Sequence, residues 1–168
     1  MKNRNIIVLM LILALAVFTT VAQSTQQFQT PYDDTISPVD TLASYYNAIE
    51  NHDYLRAYNY WQSAPRTYAD FVNGFADTVS IQLIVEPPTF IGIAAGSSYV
   101  EIPTVLIAEH TDGTVHTYAG CFVTRKSNLE PPAIPEEDTW HLYSANILEV
   151  ANSSSIPALL ANGCQPNG

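Results

Sequence analysis

Apolar residues recur first at helical spacing and later at strand spacing. Val39, Leu42, Tyr46 and Ile49 share one helical face. Ser37-Pro38-Val39-Asp40 supplies the start: Ser as N-cap, Pro at the first helical position, Asp at N3. Asn51-His52-Asp53 breaks this helix. A second follows with Tyr54, Leu55, Tyr58 and Trp61, and Ser63-Ala64-Pro65 ends it. Thr67-Tyr68-Ala69-Asp70 repeats the capping pattern before a third, short helix carrying Tyr68, Phe71, Val72 and Phe75 on one side.

After Asp77 the pattern turns to strands. Val79–Val85 is β-rich, Pro87-Pro88 and Gly92–Gly96 read as an irregular connection, and Tyr99–Glu109 as a long strand. Thr111-Asp112-Gly113 is a hairpin turn with Thr114–Arg125 as the return strand. Residues 126–138 form a Pro-rich acidic loop, and Thr139–Val150 is the last strand. Helices first and antiparallel strands after them predict an α+β domain, with three N-terminal helices on one face of a curved sheet.

If Asp112-Gly113 is a two-residue turn, Thr111 faces Thr114. That register sets Ile107 opposite Tyr118, Leu106 opposite Ala119, Thr104 opposite Cys121 and Ile102 opposite Val123. Both faces of the hairpin are then largely apolar, so both need a cover. The helices cover the face of Tyr118, Phe122 and His116. The tail, residues 151–168, covers part of the Cys121 face, and a homodimer partner docked through the sheet would cover the rest.

The N-terminus supplies the compartment. Lys2 and Arg4 precede an apolar run, Ile6–Val17, and Thr20-Val21-Ala22 offers small residues for cleavage, the layout of a signal peptide over residues 1–22. Residues 23–36 read as a linker and 37–150 as the domain. This predicts a secreted or periplasmic protein without stable membrane association after cleavage. The whole chain carries a net charge of −10; losing Lys2 and Arg4, with no acid beside them, makes the remainder −12. Such a charge repels phosphate backbones and disfavours nucleic acid as a partner. In an exported chain the two cysteines, Cys121 and Cys164, are expected to pair. The bond would stabilise by about 4 kcal/mol in the chain-entropy model.

The element order over residues 37–150 resembles the nuclear-transport-factor-2-like superfamily, which includes SnoaL-like and ketosteroid-isomerase-like proteins. The likeness rests on DTLASYYNAIENHDYLRAYNYW, YADFVNGFADT, YAGCFVTRKS and TWHLYSANILEV, with Trp140-x-Leu142 in the last strand. It is narrowest with uncharacterised secreted bacterial members. The resemblance implies a cone closed by helices at one end. It does not choose among isomerases, dehydratases, ligand binders and interaction modules.

Catalytic chemistry is sparse. The two-residue turn places Glu109 opposite His116, an acid–base pair that also reads as an exposed cross-strand ion pair. Glu101 opposite Thr124 reads as structural. His52, His110 and His141 have no ligand spacing, so no metal or cofactor is expected. The aromatics are more informative. Tyr46, Tyr58, Trp61, Tyr68, Phe71, Tyr118 and Trp140 fall on elements that would surround the cone, where they would serve a small, largely apolar ligand. The leading expectation is a non-catalytic ligand-binding domain. An envelope interaction module comes second and an isomerase- or dehydratase-type enzyme third.

Overall fold

The computed structural model describes residues 32–88, 90–129 and 139–165. The signal segment, the first part of the expected linker and most of the acidic loop lie outside these.

Three helices open the fold. α1 spans Pro38–Glu50, and the Ser37 hydroxyl accepts from the Asp40 N–H at 3.1 Å. His52 takes a positive φ of 56° and reverses the chain. α2, Tyr54–Asn59, is capped by the Asp53 carboxylate, which accepts from the Arg56 N–H. α3, Tyr68–Asn73, is capped by Thr67 in the same manner. Each start follows from a side-chain oxygen that satisfies an otherwise orphaned N–H. Leu55, expected on the packed face of α2, is exposed, while Tyr54 and Tyr58 turn inward.

The end of the segment expected as a linker is fastened to these helices. The Tyr32 N–H donates to Asn47 Oδ1 and the Asp34 N–H to Ser44 Oγ, both at 2.8 Å. The Tyr60 hydroxyl donates to Asp33.

Five antiparallel strands follow: β1 Thr78–Val85, β2 Phe90–Ala94, β3 Ser97–His110, β4 Val115–Ser127 and β5 His141–Val150. The order is β1-β3-β4-β5, and β2 also pairs with β3. β2 corrects the irregular connection expected at Gly92–Gly96. Ala95 and Gly96 both have positive φ, the backbone of a tight hairpin turn, so this glycine-rich text is a strand and its turn. Pro103 sits where β3 passes from its β2 partner, which ends at Glu101, to its β1 partner, which begins at Thr104. The missing N–H of proline falls where that flank has no strand to pair.

The β3–β4 register differs by one residue from the sequence expectation. The His110 N–H donates to Thr114 O, and the Gly113 N–H donates to His110 O, both at 2.9 Å. The loop is therefore three residues, Thr111-Asp112-Gly113, closed by Gly113 at φ +80°. Thr104 faces Gly120, Leu106 faces Tyr118 and Ile102 faces Phe122. A one-residue slip exchanges the faces of a strand. Ile102, Leu106 and Ala108 accordingly join Tyr118 and Phe122 beneath the helices, not the Cys121 face.

The main core lies between α1 and the sheet, where Leu42, Tyr45, Tyr46 and Ile49 pack with Ile102, Phe122 and Leu142. A smaller core holds the other face. Val105 and Ala119 pack with Leu160 of α4, Ile156–Asn162, a helix within the segment read as a tail. Cys121 and Cys164 form the expected disulfide, with Cα atoms 4.8 Å apart. Gly163 makes the approach possible: a Cβ there would lie 2.6 Å from the Gly120 carbonyl oxygen. The bond fits an oxidising, extracytoplasmic compartment. No helix of the described residues is long and apolar enough to cross a membrane.

Candidate functional site

The helices do not seal completely onto the sheet. Between them lies a cavity of about 370 Å³. α1 contributes Tyr45 and Tyr46, the α2–α3 connection Trp61 and Arg66, and α3 contributes Phe71. The floor comes from the inward residues of the strands, among them Ile81, Leu106, Tyr118, Phe122 and Ile147. These positions converge because α1 presents two adjacent tyrosines to the sheet, while the strands offer every second residue.

The aromatic lining is mutually packed. Tyr45 meets Tyr46 edge-on at 4.8 Å and Trp61 at 6.0 Å, and Tyr46 meets Phe122 at 6.0 Å. Phe71 packs against Phe75 at 5.2 Å. Such edge-to-face contacts hold the walls in fixed orientations.

Polar groups occupy two ends of this apolar space. At one end, burial pushes the Tyr45 phenol well above its ordinary pKa, while the Trp61 indole and the Arg66 charge act against that rise. Tyr46 is raised by burial and by Tyr45. Both stay protonated across the ordinary pH range. Trp61 Nε1 is buried and makes no well-aligned hydrogen bond among the described residues; its polar contact is the Tyr45 phenol. An unpaired buried donor costs about 1–3 kcal/mol.

At the other end stand His110 and Tyr118. His110 Nδ1 is 3.3 Å from Asp77 Oδ2, within ion-pair range, yet neither ring nitrogen has hydrogen-bond geometry to a partner among the described residues. His110 lies edge-on to His116 at 5.1 Å, and His116 contacts Glu149 Oε1 through Nδ1 at 2.7 Å. The Tyr118 pKa is raised, first by burial and then by the charges of Glu149 and Asp77. This end is therefore backed by two carboxylates.

Of the residues expected to surround a ligand, Tyr46, Trp61, Phe71 and Tyr118 line this cavity. Tyr58 stands behind it, its hydroxyl donating to Arg66 O at 3.0 Å. Tyr68 is 43% exposed and lies edge-on to Tyr58 from outside. Trp140 lines a separate open groove with Arg56, Tyr60 and His141. Sequence reasoning missed Tyr45, Arg66 and His110. Tyr45 falls off the apolar stripe counted for α1, Arg66 sits in the α2–α3 connection, where no periodicity marks a direction, and His110 is the last residue of β3, beyond the stretch read as strand.

The acid–base pair expected between Glu109 and His116 is not formed. The three-residue loop sets Glu109 against Val115 and His116 against Ala108. His116, on β4, instead reaches to Glu149 of the neighbouring β5, and Glu109 receives a long contact from the Ser80 hydroxyl at 3.5 Å. Glu101 faces Val123, not Thr124. Its carboxylate and the sulfurs of Cys121 and Cys164 lie within 4.8 Å of one another. Those sulfurs are joined to each other and offer no thiolate, so the trio is not a metal centre. No family model matches the chain, and no curated protein matches it.

Proposed function

We propose that this is an extracytoplasmic domain of the nuclear-transport-factor-2-like kind, exported by its N-terminal segment, that binds a small, largely apolar ligand between its helices and its sheet. The observation that carries the reading is the cavity of about 370 Å³ with its packed aromatic lining and a buried indole donor, Trp61 Nε1, that has no well-aligned acceptor among the described residues. A space filled only by core packing would close around those rings. The volume lies at the small end of the range for ligand pockets, roughly 300–1,000 Å³. Among the described residues no nucleophile–base pair lines the space, so binding without turnover is the simpler use of it.

Native mass spectrometry of the protein isolated from its own source tests this. The expected result is a reproducible excess mass that denaturation removes. Ala145→Trp, placed on an exposed β5 position that borders the cavity, should abolish the excess while leaving the thermal midpoint nearly unchanged. A bare mass, together with no uptake of apolar probes by the wild-type protein, would refute the reading.

A second reading is a homodimer through the sheet. β5 is an edge strand, and its Leu148 and Tyr143 are 59% and 50% exposed. A second copy would cover both. Sedimentation should then show concentration-dependent association that Leu148→Glu removes; a monomer at all concentrations would dismiss it.

A further inference from the structure

We infer that the cavity selects an apolar molecule carrying one carboxylate, with that head group seated in the corner formed by Arg66, Trp61 and Tyr45. This rests on the ligand-binding reading above and adds the chemistry of the ligand's polar end.

The chain holds 16 Asp and Glu against 6 Lys and Arg, yet no acid lines the cavity. The lining does include Arg66. Arg56, in α2, is engaged by Asp53 at 3.0 Å. Arg66 has no such carboxylate among the described residues. A guanidinium offers five donors in a planar fork and no acceptor, and its best complement is a carboxylate held in bidentate fashion. Its charge already reaches the phenol of Tyr45.

The neighbours ask for the same partner. Trp61 Nε1 can only donate, and it is buried with no well-aligned acceptor, only a contact with the Tyr45 phenol. Tyr45 keeps its proton and is a further donor. Three groups of one cavity lining therefore offer hydrogens. An amine would find no anion among them, and a plain hydrocarbon would bring the indole no better acceptor than the Tyr45 phenol.

The opposite end disfavours the same head group. Asp77 stands 3.3 Å from His110, and Glu149 holds His116. Both carboxylates act on Tyr118. An anion beside Tyr118 would face two like charges, so the ligand's head belongs with Arg66 and its hydrocarbon along Phe71, Phe122 and Leu106.

Octanoate, octanol and octylamine are matched probes, to be titrated by calorimetry and tryptophan fluorescence against the disulfide-intact protein. Octanoate should bind about tenfold or more tightly than octanol, with octylamine weakest. Arg66→Met should erase the advantage of octanoate and leave octanol unchanged. Trp61→Phe, which keeps the ring contacts but removes the donor, should cost octanoate severalfold. If octanol equals octanoate and Ala145→Trp blocks both, the cavity binds ligand and the head-group inference is wrong. If none of the three binds, the ligand-binding reading itself falls. Octanoate binding that Ala145→Trp leaves intact would place the ligand elsewhere and overturn both.

Discussion

Gly120 is the position where one methyl group would do most harm. A Cβ there would lie 1.9 Å from the Asn146 carbonyl oxygen and 3.0 Å from Ile147 Cα, both backbone atoms of β5. Neither can yield without parting β4 from β5. Gly120→Ala should therefore cost on the order of 3 kcal/mol, read as a lower midpoint in chemical denaturation. The phenols make a second prediction. The pKa of Tyr60 is pushed up to about 12, first by burial and then by its hydrogen bond to Asp33, and burial raises Tyr45 and Tyr46 in the same direction. The fold favours the protonated form. Its contribution is thus complete below the ordinary value of 10.0 and is lost as pH rises through about 12. Denaturation midpoints should fall across that window. Spectroscopic titration should find these phenols ionising above the ordinary value of 10.0, together with unfolding; their ionisation at that ordinary value in a folded protein would contradict the burial argument.

The helices were legible because each has a cap in the text and an apolar stripe behind it. Ser37, Asp53 and Thr67 all accept from the N–H three residues on. The strands were legible in outline, but their pairing was not. The text Thr-Asp-Gly suits a two-residue or a three-residue loop, and only the backbone of Gly113 decides between them. That single choice took apart the Glu109–His116 pair and moved Ile102 and Leu106 to the other face. β2 was hidden because Gly92 and Gly96 read as a breaker, although Ala94 pairs with Ser97 across a tight turn. The last helix, α4, buries little beyond Leu160, worth roughly 2 kcal/mol. Reducing the disulfide should destabilise the fold by about 2–5 kcal/mol. It should also release α4 selectively, seen as rapid amide exchange over residues 156–162 while β4 stays protected. Unchanged protection of α4 after reduction would show that packing alone holds it.

The whole molecule is acidic, with few cations to answer its carboxylates: three ion pairs occur among the described residues, and two of them depend on histidine. Self-repulsion of this kind is screened by salt. Raising ionic strength toward physiological values and beyond should lift the thermal midpoint by a few degrees; a midpoint that falls would mean the ion pairs outweigh the repulsion. Four of the seven aromatics expected at the site line the cavity, because walls and core obey the same periodicity. Arg66 was illegible because a turn residue's direction is set by tertiary contacts, and His110 because the strand was read as ending at Glu109, one residue short of it. The clasp between Cys121 and Cys164 has one more consequence. Val105 and Ala119 are covered by a segment whose hold depends on oxidant, so the reduced chain offers a bare apolar patch on its sheet. Folding is completed by the environment as much as by the sequence. A copy retained among cytoplasmic thiols would stay adhesive, a natural substrate for chaperones and proteases, and only a copy that has reached an oxidising space acquires a finished surface.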